Sequence, residues 1–282
     1  MAPDNGLLRW DGRESRGNLV ERLGAALLAA IEALGRDALL LAHSVLWFRS
    51  IPKKRAEILR QMSLCGVMSF PVVVLVSIFS GGVLALQAGL TLRPYGIEAQ
   101  VGAIVGAAMV CEMGPIMTGI ALAGRVGAAM AAELGTMRAA EEIDALEAMS
   151  IDPVRFLVMP RLVAMLVMAP ALIVFSDLVG VIGGALVAHS QIDVSYPAYF
   201  DSAYNCIVLM DIYTSVIKAI VFGGLIVIVS CGRGLRAQSS AEGVGQATKE
   251  SVVVSCILLI VFNYLVTSVM QHFYPATREL PI

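Results

Sequence analysis

Ionisable side chains inside apolar segments are the first candidates for chemistry in this sequence. Glu112 interrupts one such segment, Asp177 a second, and Asp211 and Lys218 a third. A charged side chain at the centre of a membrane helix costs roughly 2.5–3.5 kcal/mol on insertion scales, so such residues usually have a partner or a function. Two interpretations of Glu112 stay open: it lines a polar or lipid-headgroup cavity, or it pairs with a cation on a neighbouring helix. We expect Asp177, Asp211 and Lys218 to form structural pairs inside the helix bundle.

A second candidate is the acidic segment, residues 138–155, with the sequence RAAEEIDALEAMSIDPVR. Its helical phase separates apolar from acidic side chains, which predicts an amphipathic helix of about three turns. The apolar set is Ile143, Leu146 and Met149, and the acidic set on the opposite face is Glu141, Asp144 and Glu147. The phase places Glu142 on the apolar face, and Asp152-Pro153 ends the helix.

The acidic segment has two interpretations that the residues alone leave open. It is either a solvated connection or a helix that docks into a groove of a partner protein. Its negative charge disfavours binding to anionic lipid. The candidate docking residues are Glu141, Glu142, Asp144, Leu146, Glu147, Met149 and Asp152.

Composition defines the elements that must position these residues. Hydrophobic residues make up 58% of the 282 residues and charged residues 15%, with a mean hydropathy of +0.80. Soluble domains carry about 25% charged residues, so the chain is predicted to be an all-α integral membrane protein. A formal net charge of -2 provides no basic surface for nucleic acid.

Five apolar stretches are long enough to cross a bilayer as helices, since a span needs about 20 residues. The predicted spans, numbered one to five, are residues 61–92, 99–124, 162–188, 208–231 and 251–275. We expect them to form one domain, 61–282. Residues 18–60 are expected to form an interfacial amphipathic helix with a basic linker, and residues 1–17 a disordered cytoplasmic tail.

The distribution of Lys and Arg predicts the orientation of the chain. Most of these residues fall in 1–60 and in the connections that follow spans two and four. Because positive charge accumulates on the cytoplasmic side, we expect a cytoplasmic N-terminus and a C-terminus on the opposite side. The acidic segment then lies on the cytoplasmic side.

Motifs for bond chemistry are weak in this sequence. It contains no GxxxxGK[ST] motif, so we expect ATP, if used, to be bound by a partner protein. No Ser/His/Asp or Cys/His arrangement rises above chance. The five cysteines include no CxxC pair, and the three histidines are far apart, so we expect no metal site and no resident cofactor.

Two GxxxG motifs allow helices to approach closely. They begin at Gly102 and Gly180. They serve either packing within one chain or contact between two subunits, and both uses stay open.

The run CEMGPIMTGIALAGRVGAAMAAELGTMRAAEEIDALEAMSIDPVRFLVMPRLVA, which begins at Cys111, resembles the signature region of the MlaE-type permeases. These are the membrane subunits of Mla/Mce ABC transporters for phospholipids and other lipids. The likeness extends over approximately residues 60–275. It implies a homodimeric, non-enzymatic permease in a bacterial inner membrane. It also implies a cytoplasmic ABC ATPase (MlaF-like) docked on the acidic segment and a periplasmic MCE-domain protein (MlaD-like).

The same resemblance implies a lipid site in a cavity at the dimer interface, lined by spans one and two. By position, Leu84, Leu92 and Tyr95 would contact acyl chains or the cavity mouth. Glu112 matches the family's intramembrane glutamate. The chain departs from the family pattern at Cys111, where Arg is usual, and at Ser150, where Gly or Ala is common. A local Arg–Glu pair is therefore absent.

Three functions follow from these residues. The resemblance favours a permease subunit that moves phospholipid or a related lipid and so maintains outer-membrane lipid asymmetry or lipid uptake. The alternative is an ion- or proton-coupled carrier that uses Glu112, Asp177 and Asp211 as a relay and needs no ATPase. The third is a scaffold that only anchors partner proteins.

Overall fold

The computed structural model describes residues 54–273, together with 35–44 and the isolated positions 28, 32 and 46. The predicted disordered tail, 1–17, lies outside the described residues, as does most of the N-terminal part of 18–60. Residues 35–44 are helical, and Arg55 begins the helix that leads into span one.

All regular elements in this described part of the chain are helical, so the predicted all-α membrane class is confirmed. The helices are Arg55–Cys65, Phe70–Leu92, Val101–Ala108, Gly114–Leu122, Ala128–Ala139, Glu142–Ala148, Met159–Ile192, Tyr196–Cys206, Leu209–Leu235 and Ala241–Phe273. Short 3₁₀ turns lie at Val67–Ser69, Arg93–Tyr95 and Glu98–Gln100, and π-helical turns at Met109–Met113, Ala123–Gly127 and Val154–Val158.

Among the described residues, five helical stretches are long and apolar enough to cross a membrane, which agrees with the predicted number of spans. Spans one to five are Arg55–Tyr95, Glu98–Ala139, Val154–Ile192, Leu209–Leu235 and Ala241–His272. Span two is the most buried, at 56% of its most apolar window, and span five is the least, at 11%. Span two is therefore the centre of the bundle, and span five covers one side of it.

The spans extend beyond their apolar stretches. Residues 125–139 were predicted to lie in a connection, yet they continue the helix of span two to Ala139. This region holds five Ala, two Met and two Arg, which favour helix whether or not lipid surrounds them. Hydropathy detects the end of the apolar stretch and not the end of the helix, so the predicted boundary is too early. Arg161, also assigned to that connection, lies inside the helix of span three.

Glycines bring spans one and three into backbone contact. A Cβ at Gly81 would overlap the carbonyl oxygen of Gly180. One turn before Gly81, the hydroxyls of Ser77 and Ser176 share a buried hydrogen bond of 2.7 Å. Close backbones and a buried polar pair hold these two spans together, and the rings of Phe70 and Phe175 add an edge-to-face contact at 5.4 Å.

The two GxxxG motifs pack within this chain. A Cβ at Gly102 would overlap the carbonyl oxygen of Tyr199, and one at Gly184 would lie 2.5 Å from the Tyr199 hydroxyl. Tyr199 belongs to the short helix Tyr196–Cys206, which was not predicted from the sequence. Its hydroxyl donates to the carbonyl oxygen of Val181 at 3.1 Å. Of the two uses that the sequence left open, packing within one chain is the one observed.

Candidate functional site

Glu112 lies in the π-helical turn Met109–Met113, in the first half of span two. Pro115 follows this turn and has no N–H, so it cannot donate to the carbonyl of Cys111, four residues earlier. That carbonyl instead accepts a hydrogen bond of 2.6 Å from the Lys218 ammonium of span four. The irregular turn therefore presents both a carbonyl and a carboxylate to the neighbouring span.

Glu112 is held by three side chains, which together with it form the Glu112 cluster. Its Oε1 lies 3.0 Å from Lys218 Nζ and accepts a hydrogen bond of 2.8 Å from Thr267 Oγ1. Its Oε2 accepts a hydrogen bond of 2.6 Å from Asn263 Nδ2. The Lys218 side chain is fully buried, whereas the Glu112 side chain is 34% exposed. The pairing expected in one of the two interpretations is confirmed, and part of the carboxylate still reaches the surface of the chain.

Span five supplies two members of this cluster that the sequence analysis missed. Asn263 and Thr267 are four residues apart and so lie on one face of the helix. Their signal in the sequence is a polar pair at helical spacing in a stretch, residues 251–275, that contains no Asp, Glu, Lys or Arg. Their uncharged groups add hydrogen bonds to a carboxylate that Lys218 already neutralises.

The predicted pairing among the other intramembrane charges is wrong for Asp177. Asp177 is 7% exposed and accepts a hydrogen bond of 2.9 Å from Ser215 Oγ, and it forms no ion pair with a described residue. Its Oδ1 lies against the backbone of Gly114. For Lys218 the expected structural pairing is confirmed, and its partner is Glu112, because the carbonyl and carboxylate of the π turn face span four. Asp211 caps the first turn of span four through the amide of Val208.

The predicted lipid-binding residues do not gather at Glu112 within one chain. Leu84 and Leu92 are half-buried and pack on an apolar cluster around Val105, and Tyr95 is 76% exposed at the end of span one. Glu112 faces spans four and five. Span two thus separates the leucines from the Glu112 carboxylate.

The helix in the acidic segment, hereafter the acidic helix, is Glu142–Ala148 and is shorter than the predicted three turns. Glu141 before it and Ser150 after it both adopt left-handed backbone, with φ of 59° and 58°. Ile143 is 3% exposed and fixes the helix to the core, and Leu146 is half-buried beside it. These two positions agree with the predicted apolar face.

Other predicted docking residues face solvent. Met149 follows the last helical residue and is 62% exposed, so its assignment to the apolar face is wrong. Glu142 is also exposed, although the helical phase placed it on the apolar face. The exposed acids are Glu141, Glu142, Asp144 and Glu147. Arg138 pairs with Asp144 and joins the acidic helix to the end of span two.

Asp152 closes the acidic segment. Its Oδ1 accepts a hydrogen bond of 2.9 Å from the amide of Val154, the first residue of the π-helical turn that starts span three. Its Oδ2 lies 3.4 Å from His43 Nε2. The segment is therefore fixed at both ends, by Arg138 and by Asp152.

Known proteins resemble this chain over most of its length. The family model of the permease MlaE matches residues 58–269. A probable ABC transporter permease protein of Rickettsia felis is 36% identical over 250 residues, which cover 89% of this chain and 96% of the relative. The intermembrane phospholipid transport system permease protein MlaE of Haemophilus influenzae is 30% identical over 254 residues, covering 90% and 97%.

A plant protein is also similar. Protein trigalactosyldiacylglycerol 1, chloroplastic, of Arabidopsis thaliana is 32% identical over 210 residues, which cover 74% of this chain and 60% of the relative. The family match includes all five spans, the Glu112 cluster and the acidic segment. The resemblance first drawn from the run that begins at Cys111 is thereby confirmed, and this multi-pass membrane chain belongs to the MlaE permease family.

Proposed function

We propose that this chain is the membrane subunit of an ATP-driven transporter that moves phospholipid or a related lipid. The lipid passes between the inner membrane and a periplasmic MCE-domain protein, and a separate cytoplasmic ABC ATPase hydrolyses the ATP. Relatives named as ABC transporter permeases support the class, and the relative from Haemophilus influenzae, named for phospholipid transport, supports the cargo. The transporter serves outer-membrane lipid asymmetry or lipid uptake.

One observation carries this proposal: span two continues as helix from Glu112 to Ala139, and a two-residue turn at Ala140 and Glu141 joins it to the acidic helix. Span two is helical from Glu98 to Ala139, and the acidic helix begins at Glu142. Ile143 and the Arg138–Asp144 ion pair fix that helix to the span. A force applied to the exposed acids therefore reaches the π turn that holds Glu112, which supports a coupling role for the segment.

The lipid site of the proposal combines a polar and an apolar part. The exposed edge of the Glu112 carboxylate would meet a polar headgroup, while Leu84, Leu92 and Tyr95 would contact acyl chains. The family resemblance implies pairing with a second copy of the chain, and exposed apolar side chains of span one, among them Leu75 and Phe79, are available for that contact. In a homodimer, residues that span two separates within one chain can line a shared cavity.

The proposed orientation places the acidic helix where an ATPase can reach it. The basic residues near the N-terminus and beyond spans two and four support a cytoplasmic N-terminus and a periplasmic C-terminus. On the opposite side, the short helix Tyr196–Cys206 and the end of span one then face the MCE-domain protein.

The ATPase-docking role predicts the effect of reversing exposed acids. We expect Glu142→Lys with Glu147→Lys to lower co-purification of the ATPase at least about tenfold, because like charges at an interface cost several kcal/mol. Both side chains are exposed, so the change leaves the permease core intact. The measurement is quantitative mass spectrometry of the subunits that purify with tagged permease.

The matched control for this experiment is Asp201→Lys, the reversal of an exposed acid in the short helix Tyr196–Cys206. This variant should retain the ATPase as the wild type does. Leu146 and Ile143 are avoided because they support the core. Retention of the ATPase by the double variant at the wild-type level would remove the docking role from the acidic helix.

A further inference from the structure

The described part of the N-terminal helix, residues 35–44, packs on the bundle along a polar face. Asp37 and Ser44 are buried, and Leu40 between them packs against the main core. These positions recur at helical spacing and so share one face. Leu39 and Leu46 point away from the bundle and are 72% and 76% exposed. The inner face therefore combines the apolar contact of Leu40 with the polar contact of Asp37, while Leu39 and Leu46 lie on the outer surface.

Asp37 fixes this helix to the end of span four. Its Oδ1 accepts a hydrogen bond of 2.7 Å from Arg236 Nη2, and its side chain is 7% exposed. Gly232 leaves the space for this ion pair, since a Cβ there would lie 2.8 Å from both interacting atoms. This partner stabilises the ionised form of the buried carboxylate, because an unpaired charge away from water is strongly unfavourable.

His43 connects the same helix to the acidic segment. Its Nε2 lies 3.4 Å from Asp152 Oδ2, and Asp152 also accepts from the first amide of span three. Asp37 and His43 are six residues apart, so one helix of about two turns joins the acidic segment to span four.

Span four continues from this contact to the Glu112 cluster. Arg236 follows the last residue of the helix Leu209–Leu235, and Lys218 lies inside that helix and pairs with Glu112. A straight helix between these positions is about 27 Å long, at 1.5 Å per residue. A displacement of Arg236 along the helix axis would therefore reach Lys218.

We propose that residues 35–44 act as a strap that transmits movement of the acidic segment to span four, with Asp37 and Arg236 as its positioning residues. This inference rests on the proposed function, in which an ATPase moves that segment. Movement of span two would displace Glu112. Movement of the strap would displace Lys218 through span four. Both sides of the pair would then move together during each ATP cycle.

A charge swap in the full transporter tests the strap. The variants are Asp37→Arg, Arg236→Asp and the double variant that restores opposite charges in exchanged positions. We expect each single variant to keep the ATPase bound and hydrolysing ATP, while lipid moved per ATP falls about fivefold or more, the size of typical coupling between sites. The double variant should recover most of this loss.

The same helix offers a matched control. Arg36 and Glu32 form an exposed ion pair of 2.9 Å. Exchanging their charges in Glu32→Arg with Arg36→Glu should leave lipid moved per ATP unchanged, as should each single change. If a reversal variant does not accumulate, Asp37→Asn removes the charge while keeping the shape, and it should show the same loss of coupling.

Two results would overturn the strap. One is a normal ratio of lipid to ATP in every Asp37 and Arg236 variant. The other is a loss that the double variant fails to recover, because a purely local defect is not repaired by exchanging the charges. Failure of the proposed function itself gives a different result from failure of the strap, because the wild-type transporter would then move no lipid with ATP.

Discussion

Replacing Lys218 by methionine is expected to destabilise the folded permease by about 3–5 kcal/mol, the usual effect of removing one partner of a buried ion pair. Lys218 is fully buried and is the cation that neutralises Glu112, and it also donates to the Cys111 carbonyl of the π turn. Without it, the Cys111 carbonyl loses its side-chain donor, and the Glu112 carboxylate loses its counter-charge and keeps only the hydrogen bonds from Asn263 and Thr267. Thermal unfolding of the detergent-solubilised protein measures the change.

A double variant shows how much of the destabilisation comes from the unpaired charge and how much from lost packing. Glu112→Gln combined with Lys218→Met should recover a large part of the lost stability, because neither charge is then left unpaired. Lys249 is exposed, so Lys249→Met should unfold at the wild-type temperature. An unfolding temperature of Lys218→Met equal to that of the wild type would show that the pair does not hold spans two and four together.

Gly81→Ala is expected to separate spans one and three. The added Cβ would overlap the carbonyl oxygen of Gly180, and backbone cannot move aside as a flexible side chain can. Overpacking usually costs about 1–3 kcal/mol and occasionally more, and a clash with backbone belongs at or above the upper end. Size-exclusion chromatography after heating measures the fraction that stays folded and monodisperse.

A second glycine provides the control for this substitution. Gly224 lies in span four, where a Cβ would meet only Leu166 Cδ2 at 3.9 Å. Gly224→Ala should be neutral or stabilising by up to about 1 kcal/mol, because alanine favours helix more than glycine does. Equal thermal behaviour of the two variants would contradict close backbone contact between spans one and three.

Hydropathy in the sequence was sufficient for the helical class and the number of spans. Hydropathy did not predict where the spans end, because Arg138 and Arg161 lie in helices that extend past the apolar stretches. The short helix Tyr196–Cys206 was missed because it is too short and too polar for a span and packs through a single buried aromatic residue, Tyr199. Apolar content alone does not distinguish such a helix from a connection.

The Glu112 cluster was only partly predictable. The sequence identified Glu112 and Lys218 as intramembrane charges that need partners, but it did not assign them to each other, because it does not show which spans are neighbours or which faces meet. Their pairing depends on how the π turn and Pro115 rotate the carboxylate. Asn263 and Thr267 became recognisable only once span five was placed against span two.

Helical periodicity predicted the orientation of side chains in the acidic segment only as far as the helix continues. Regular phasing correctly placed Ile143 and Leu146 toward the protein, where they pack on the core. It misplaced Met149 because the helix ends at Ala148 and Ser150 adopts a left-handed backbone. Periodicity assumes a continuing helix, so it fails at the first residue beyond the end.

ATP-dependent lipid movement tests the central claim most directly. The permease, its ATPase and its MCE-domain partner are reconstituted in proteoliposomes, and transfer of a fluorescent phospholipid between the bilayer and the MCE protein is followed. The proposed function predicts transfer with ATP and none with a pH gradient alone. Transfer by the permease under a pH gradient without ATP would contradict it and would favour an ion-coupled carrier that uses Glu112, Asp177 and Asp211.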